Sequence, residues 1–419
     1  MSNIIPKKTW NFDLDTADTE LPDRSAFFFP STNGQPKIYL CGHSLGLQPR
    51  KASIYLNEVV DQWKNLAVDG HFAGESPWIN YLEELHQQMA GLVNAEKDEV
   101  VIMNSLTVNI HLLLSGFYKP NGKRCKILLD FPAFPSDIYA IRSHLEVRGF
   151  SEEDMLFWEP NADTGFFENE DLEHLLLKYQ DEIDLIFISG VHYLNGQYLD
   201  IESIAKLSRK FSITLGLDLA HAVGNVELFL HDWEIDFACW CTYKYLNGGP
   251  GSLGAVFIHD KHHDHHQHFL GWWGNSIDNR FEMKPDFTPS IGASSWQLSN
   301  PPVISLPPLR AALDIFSVYG MSKIRAKSKL ISSFLYQELL SIKESYFTLI
   351  TPEDVDRRGA MICLRFAQDG RAAFQYLSDH RVVVDYRQPD TIRVAANPLY
   401  NNFEDVYRFV KVLEEALHQ

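Results

Sequence analysis

Short apolar runs alternate with stretches of helical periodicity along most of this chain. The runs cover residues 100–103, 126–129, 185–189, 213–217, 237–240 and 255–258. They are apolar at consecutive positions, and Asp, Asn, Gly or Ser bounds them. That pattern predicts strands buried on both faces, as in a mostly parallel sheet. Between the runs, Leu56, Val59, Val60 and Trp63 share one helical face. Ile138, Ile141 and Leu145 share another, closed by Gly149. Strand and helix in alternation predict an α/β layered fold.

The pattern changes towards the end. Phe403, Val406, Val410, Leu413 and Leu417 follow helical spacing, with Asn402 as the N-cap. Residues 361–366 and 381–384 read as strands of a separate, smaller layer. A boundary is expected near Asn300-Pro301-Pro302, where prolines interrupt the pattern. This gives a large domain over 51–300 and a small α+β domain over 301–419. Residues 1–50 are expected to pack with the smaller one.

Composition narrows the function classes. A chain of 419 residues allows two or more domains at roughly 100–200 residues each. The 55 acidic against 37 basic residues leave a formal charge of −18. Such a surface repels phosphate backbones, so nucleic acid is not expected as a partner. The five cysteines, Cys41, Cys125, Cys239, Cys241 and Cys363, have no zinc-knuckle spacing. Free buried thiols in a reducing compartment are expected. Residues 1–20 hold no apolar run of signal-peptide length, and no stretch approaches the ~18 apolar residues of a membrane span. A cytoplasmic protein without a membrane partner is the expectation.

The densest chemical signal is Asp218-Leu-Ala-His221, followed by Tyr243-Lys244 and the glycine-rich stretch to Gly251. Asp218 ends an apolar strand, where ligand-binding residues concentrate in α/β sheets. Pyridoxal phosphate (PLP) needs a carboxylate to keep its pyridine nitrogen protonated. It also needs an amine to join its aldehyde as a Schiff base and then carry protons. Asp218 and Lys244 have those identities. Alone they would read as a helix cap and a surface lysine, but His221, Tyr243 and the glycines favour a site. The glycines are expected to let backbone approach a ligand closely.

A phosphate needs backbone N–H donors, which helix starts supply. Asn104-Ser-Leu-Thr107 and Phe134-Pro135-Ser136-Asp137 each open a helix after a strand. Thr107 and Ser136 add hydroxyls, and Phe134 offers a ring to stack on. Each segment alone is equally well read as plain helix capping. Arg393 is the candidate for a substrate carboxylate, which guanidinium binds bidentately. Two other clusters read more plainly. The histidines of residues 261–268 have ligand chemistry but nothing to orient them, so a solvated loop is expected and no metal. Cys239 and Cys241 share one strand face and read as buried thiols.

Over about residues 39–413 the sequence resembles the kynureninases, a family of fold-type-I PLP enzymes. The stretches that carry the resemblance include Ser44-Leu-Gly-Leu47, Leu106-Thr-Val-Asn109, Phe134-Pro-Ser-Asp137 and Gly196-Gln197. They continue with Asp218 to Asn225, His231-Asp-Trp233, Trp240 to Gly251, Gly271-Trp-Trp-Gly274, Ser299-Asn-Pro-Pro302 and Pro398-Leu-Tyr-Asn401. The resemblance implies a seven-stranded, mostly parallel sheet in the large domain. It implies that Lys244 carries the cofactor and that Asp218 holds its pyridine nitrogen. Leu106, Thr107, Phe134, Pro135, Ser136, Asp137, Ser189, His221 and Tyr243 would surround it. Trp273 and Asn300 would come from a neighbouring subunit, which implies a homodimer with shared active sites. Arg393 would take the substrate's α-carboxylate, and His71, Ser299 and Asn300 would line the aryl pocket. Their identities resemble the branch that favours 3-hydroxykynurenine.

The implied reaction is hydrolysis of kynurenine or 3-hydroxykynurenine to the anthranilate and alanine. It belongs to the kynurenine route of tryptophan catabolism, with NAD biosynthesis as one destination. Catalytic roles fall to Lys244, Asp218 and Tyr243. The sequence departs from the family's usual pattern at His43, where Asn is common, at Ala396-Asn397, and at Asn195. These departures bear on the substrate pocket more than on the reaction. The alternatives are a related PLP aminotransferase or cysteine desulfurase, or a non-catalytic protein that binds metal through its histidine loop.

Overall fold

The computed structural model describes residues 24–264, 267–342 and 346–419. Residues 1–23 of the expected N-terminal segment, and His265 and His266 of the histidine loop, lie outside the described residues. The larger core is built on seven strands: β1 (Val100–Ile102), β2 (Lys126–Asp130), β3 (Met155–Trp158), β4 (Ile183–Ser189), β5 (Thr214–Asp218), β6 (Phe237–Cys241) and β7 (Gly254–Ile258). Their order across the sheet is β1-β7-β6-β5-β4-β2-β3. Only β7 runs against its neighbours. Six of the seven are the expected runs. The seventh, β3, is an edge strand of four residues preceded by Glu152, Glu153 and Asp154, an acidic run that reads as loop.

Consecutive apolar positions are explained by layers on both sides of the sheet. Ile186, Leu217 and Trp240 belong to one core; Leu185, Phe187 and Cys239 belong to the other. Side chains alternate across a strand, so a sheet covered twice must be apolar throughout. The helices Leu106–Phe117 and Pro135–Val147 close the second face, with Ile141 and Leu145 fully buried. The helix Ile201–Lys210 and parts of Tyr81–Leu92 and Pro307–Tyr319 close the first.

A four-stranded antiparallel sheet forms the second unit, in the order Phe347–Leu349, Met361–Phe366, Thr391–Ala395, Asp385–Arg387. The helices Met321–Leu340, Gly370–Asp379 and Phe403–Leu417 cover it. Asn402 caps the last by accepting from the Asp405 amide at 2.9 Å. The change of core falls later than the prolines at 301–302. Leu309, Phe316 and Ile324 pack with the large sheet, and Ile331 is the first helix residue to pack with the small one. The strand expected over 381–384 shortens to Val382–Val383. It pairs in parallel with Ile38–Tyr39 outside the four-stranded sheet. Ile38 and Leu40 accordingly lie in the small core.

One expected apolar face stays open. In the helix Lys51–Leu66, Val59 is buried, but Val60 is 41% and Trp63 58% exposed. Helical spacing marks an apolar stripe without saying what covers it.

Candidate active site

The parallel strands end at one edge, and three of their last residues are polar: Asp130, Ser189 and Asp218. Register places Asp218 beside Ser189 on one side and Cys239 on the other. Just past β6 the chain turns sharply. Thr242 Oγ1 donates to the Leu253 carbonyl at 2.6 Å, and the Gly248 amide donates to the Thr242 carbonyl at 2.8 Å. This fixed turn carries Tyr243 and Lys244. Together with Ser105, Leu106, Thr107, Phe134, Ser136, Asp137, Ser189, Tyr193, Asp218 and His221 they line a cleft of about 160 Å³.

Inside it, Lys244 Nζ lies 3.1 Å from His221 Nε2 and 5.9 Å from the centre of the Phe134 ring. Burial and the nearby Lys244 push His221 well below its ordinary range, so the ring is neutral and accepts from the ammonium. Asp137 and Asp218 are buried together. Burial and the adjacent Asp218 push Asp137 well up, so Asp137 keeps its proton and donates it to Asp218. That leaves Asp218 as the carboxylate facing Lys244, steadied by the Ala220 amide at 2.8 Å. Burial also raises Tyr243, whose hydroxyl stays protonated.

Two helix starts converge on the same cleft. Neither Ser105 nor Phe134 caps its helix with a side chain, which leaves the Leu106, Thr107 and Ser136 amides available, while the Asp137 amide donates to the Phe134 carbonyl at 3.0 Å. Thr107 Oγ1 and Ser136 Oγ, one on each helix, meet at 2.8 Å. Two buried polar atoms here, His221 Nδ1 and Asp137 Oδ1, have no partner. Buried polar atoms are rarely left so. Two helix N-termini, two hydroxyls, a ring, a lysine and a buried carboxylate fit a phosphorylated, flat, cationic heterocycle.

Arg393 approaches from the small sheet. It is 1% exposed, and one guanidinium nitrogen donates to the Tyr193 carbonyl at 2.6 Å. Tyr193 lines the cleft; Arg393 is not itself a lining residue but is bonded to this one at the rim. Other expected residues are elsewhere in this chain. His71 lies edge-on to Trp78 at 5.1 Å, Trp273 lies beneath Arg280 at 4.3 Å, and Ser299 and Asn300 are exposed. None of the four lines the cleft, and Pro135 sits outside it as the first helical residue. The glycines after Lys244 are a correction. A Cβ on Gly248 would meet Thr242 Oγ1 at 2.7 Å, and one on Gly249 would meet Pro308 at 3.3 Å. Gly248 and Gly249 make room for the chain's own turn, and a Cβ on Gly251 would meet nothing within 4 Å.

In the histidine loop, His262 is held by Asp236 at 2.8 Å. The structure instead groups Glu99, His231, His259 and Asp260. Glu99 is buried and accepts from His231 Nδ1 and from the Asp260 amide, both at 2.9 Å. A larger groove of about 490 Å³, walled by Trp158, Glu168, Asp200 and Arg357, shares no residue with the Lys244 cleft.

Over 406 residues the chain is 43% identical to kynureninase of Xanthomonas campestris pv. campestris (strain B100), covering 96% of each. Identity to kynureninase of Myxococcus xanthus (strain DK1622) is also 43%, over 96% of this chain and 95% of that one. The chain belongs to the kynureninase family. The family's C-terminal domain profile matches residues 324–413, the part that carries Arg393. Kynureninase of Flavobacterium johnsoniae is 42% identical over 412 residues. Among solved structures, a C-DES mutant with glycine covalently linked to its PLP cofactor superposes with a TM-score of 0.79 at 18% identity, covering 94% of this chain and 99% of that one. The cysteine desulfurase CsdA of Escherichia coli gives 0.75 at 16%, covering 94% and 97%. These two share the fold.

Asp130, Tyr193 and Asp385 were not expected at the site of this kynureninase-family chain, and His43 was marked only as a departure bearing on the substrate pocket. Asp130 had a signal, since it ends an apolar strand just as Asp218 does. Asp385 had none, lying in a three-residue polar strand.

Proposed function

We propose that this protein hydrolyses L-kynurenine or 3-hydroxy-L-kynurenine to the corresponding anthranilate and L-alanine, with Lys244 as the cofactor's anchor. It is a PLP-dependent hydrolase of the kynureninase family. The observation that carries the reading is one cleft in which Lys244, Asp218 and two helix N-termini converge, with Arg393 at its rim. When bound, PLP draws electrons away from the substrate's α-carbon and so eases proton loss there and cleavage further along.

The chain's residues divide the remaining work. Asp218 holds charge against the pyridine nitrogen, and Asp137 steadies Asp218. Thr107, Ser136 and the helix amides take the phosphate. Lys244 Nζ, once free, removes the α-proton, and neutral His221 beside it positions the amine by accepting its hydrogen bond. Tyr243, protonated at working pH, supplies a proton to the carbon released by bond cleavage. Arg393 orients the α-carboxylate.

A homodimer with shared sites deepens this reading. Ser299 and Asn300 are exposed and lie outside their own cleft, and Trp272, Ile277, Phe281 and Met283 nearby are exposed large apolar residues. Such clustering marks an interaction surface. Trp273 and Asn300 are proposed to serve the neighbouring subunit's site, and His71, Ser299 and Asn300 to line the aryl pocket and to favour the 3-hydroxy substrate. Nothing favours a desulfurase, which needs an accessible reactive thiol, because all five cysteines are buried.

The test is incubation of the purified protein with each kynurenine. Fluorescent anthranilate plus alanine is expected, with the higher kcat/KM for the 3-hydroxy form. Amino transfer that depends on a keto acid, without ring release, would overturn the reading.

A further inference from the structure

The guanidinium assigned to the substrate is already engaged. Arg393 Nε donates to Asp385 Oδ2 at 2.7 Å, a second nitrogen makes a shorter contact with the same oxygen, and the third holds the Tyr193 carbonyl. Arg387 Nε reaches Asp385 Oδ2 at 2.9 Å. An arriving carboxylate can be gripped bidentately by Arg393 only if Asp385 yields.

His43 stands beside this pair. It is wholly buried, and neither ring nitrogen has a hydrogen-bond partner. Its Nε2 lies 3.7 Å from Asp385 Oδ2, beyond hydrogen-bond reach but within reach of an ion pair. A buried imidazole with both nitrogens unanswered is unusual unless another state of the protein answers them. We propose that His43 is the positioning residue that receives Asp385 when a substrate carboxylate takes Arg393, the ring gaining one proton from solvent as it does so. The inference rests on Arg393 being the carboxylate receptor, as proposed above.

The surrounding charges support an exchange of this kind. In the free protein, burial, Arg393 and Lys244 oppose charge on His43 and only Asp385 favours it, which holds the ring down at about 4. Cys41 and Ser44 on its own segment are neutral; burial pushes the thiol up to about 11. His221, from the large unit, is neutral as well, and Arg387 is occupied by Asp385. A second carboxylate beside Arg393 cancels the main opposing charge and leaves Asp385 with Arg387 alone, so that a second cation beside it becomes favourable. His43 is the nearest group that can become one.

Binding that takes up a proton weakens as pH rises. The probe is the kynurenine analogue that lacks the α-amino group, so that no substrate amine titrates. Its binding to the holoenzyme is followed by calorimetry in phosphate and in Tris, between pH 6 and 8. The wild type is expected to take up about one proton, with Kd rising about tenfold per pH unit. His43→Asn and Asp385→Asn should abolish the uptake and flatten the slope. His43→Gln serves if the Asn variant fails to fold, with circular dichroism as the check. No uptake by the wild type, or undiminished uptake by a folded His43 variant, overturns the proposal. Anthranilate release from kynurenine by the same wild-type preparation is scored separately. Release without proton uptake sinks His43 alone, and no release sinks the functional reading beneath it.

Discussion

Lys244 Nζ and His221 Nε2 meet at 3.1 Å in a cleft where the histidine is neutral. The neutral ring accepts the lysine's hydrogen bond and so fixes where Nζ points. Lys244→Ala should lower kcat by at least about 10³-fold, near the upper range for a proton-transfer group. The variant should also lose the yellow, borohydride-reducible chromophore. A Lys244→Ala protein that keeps its turnover together with a yellow chromophore that borohydride bleaches and fixes covalently to the chain would remove Lys244 from the reaction.

Tyr243 is the proposed acid of the later steps, and its buried hydroxyl stays protonated. Tyr243→Phe should slow turnover by about 10²-fold or more while α-hydrogen exchange with deuterated solvent continues. Exchange measured by mass spectrometry on recovered kynurenine separates the two. Equal losses in exchange and turnover would assign Tyr243 to an earlier step.

Gly46 touches the site through backbone alone. Its amide donates to the Tyr243 carbonyl at 2.8 Å, and a Cβ there would come 2.5 Å from the Lys244 carbonyl oxygen and 2.8 Å from Asn247 Cα. Those are main-chain atoms of a fixed turn, so the turn must shift. Gly46→Ala should reduce kcat by about 10²-fold, the order expected when a reacting group is misplaced by ~1 Å. Activity close to wild type, with unchanged Tm, would mean that the turn relaxes freely.

The proposed sharing of sites between subunits predicts complementation. Lys244→Ala and Asn300→Ala should each be poorly active alone. Mixed and refolded together, they form hybrid dimers in which one site has both native residues, restoring up to about a quarter of wild-type activity. No recovery, with hybrid formation verified by mass, would place Asn300 in its own subunit's site or in none.

Glu99 ties the start of β1 to His231 and to the residues after β7, and its carboxylate is wholly buried. Glu99→Gln leaves one of these donors unmatched and should destabilise the fold by about 1–3 kcal/mol. Glu99 raises His231 above its ordinary range. The pair's contribution is therefore full below the unfolded histidine pKa of about 6.5 and fades as pH rises through the folded value. The effect is small because the ring is only part-buried and solvent screens the pair. Urea unfolding at pH 6 and pH 8 should show this slope in the wild type and lose it in Glu99→Gln.

Much of this architecture was legible because buried parallel strands advertise themselves as unbroken apolar runs. Asp218 and Lys244 were legible because the first ends such a run and the second follows the next. The edge strand β3 was hidden by the acids in front of it. The open face of Val60 and Trp63 could not be told from a core-facing one, since periodicity records polarity and not the partner. The role of Asp385 is invisible in sequence because it depends on two short strands lying side by side, Asp385 opposite Arg393. His43 stood out only as a departure from a family habit, and its meaning needed the carboxylate beside it.

The pairing of Ile38–Tyr39 with Val382–Val383 has a consequence for how the molecule comes into being. A ribosome releases the lysine-bearing turn long before it has made the partner of that early strand. Until nearly the whole polypeptide has emerged, the segment around His43 has no sheet to join and Arg393 does not yet exist. The proposed grip on an amino acid is thus among the later parts of the molecule to be put together, after the turn that carries Lys244 has been made.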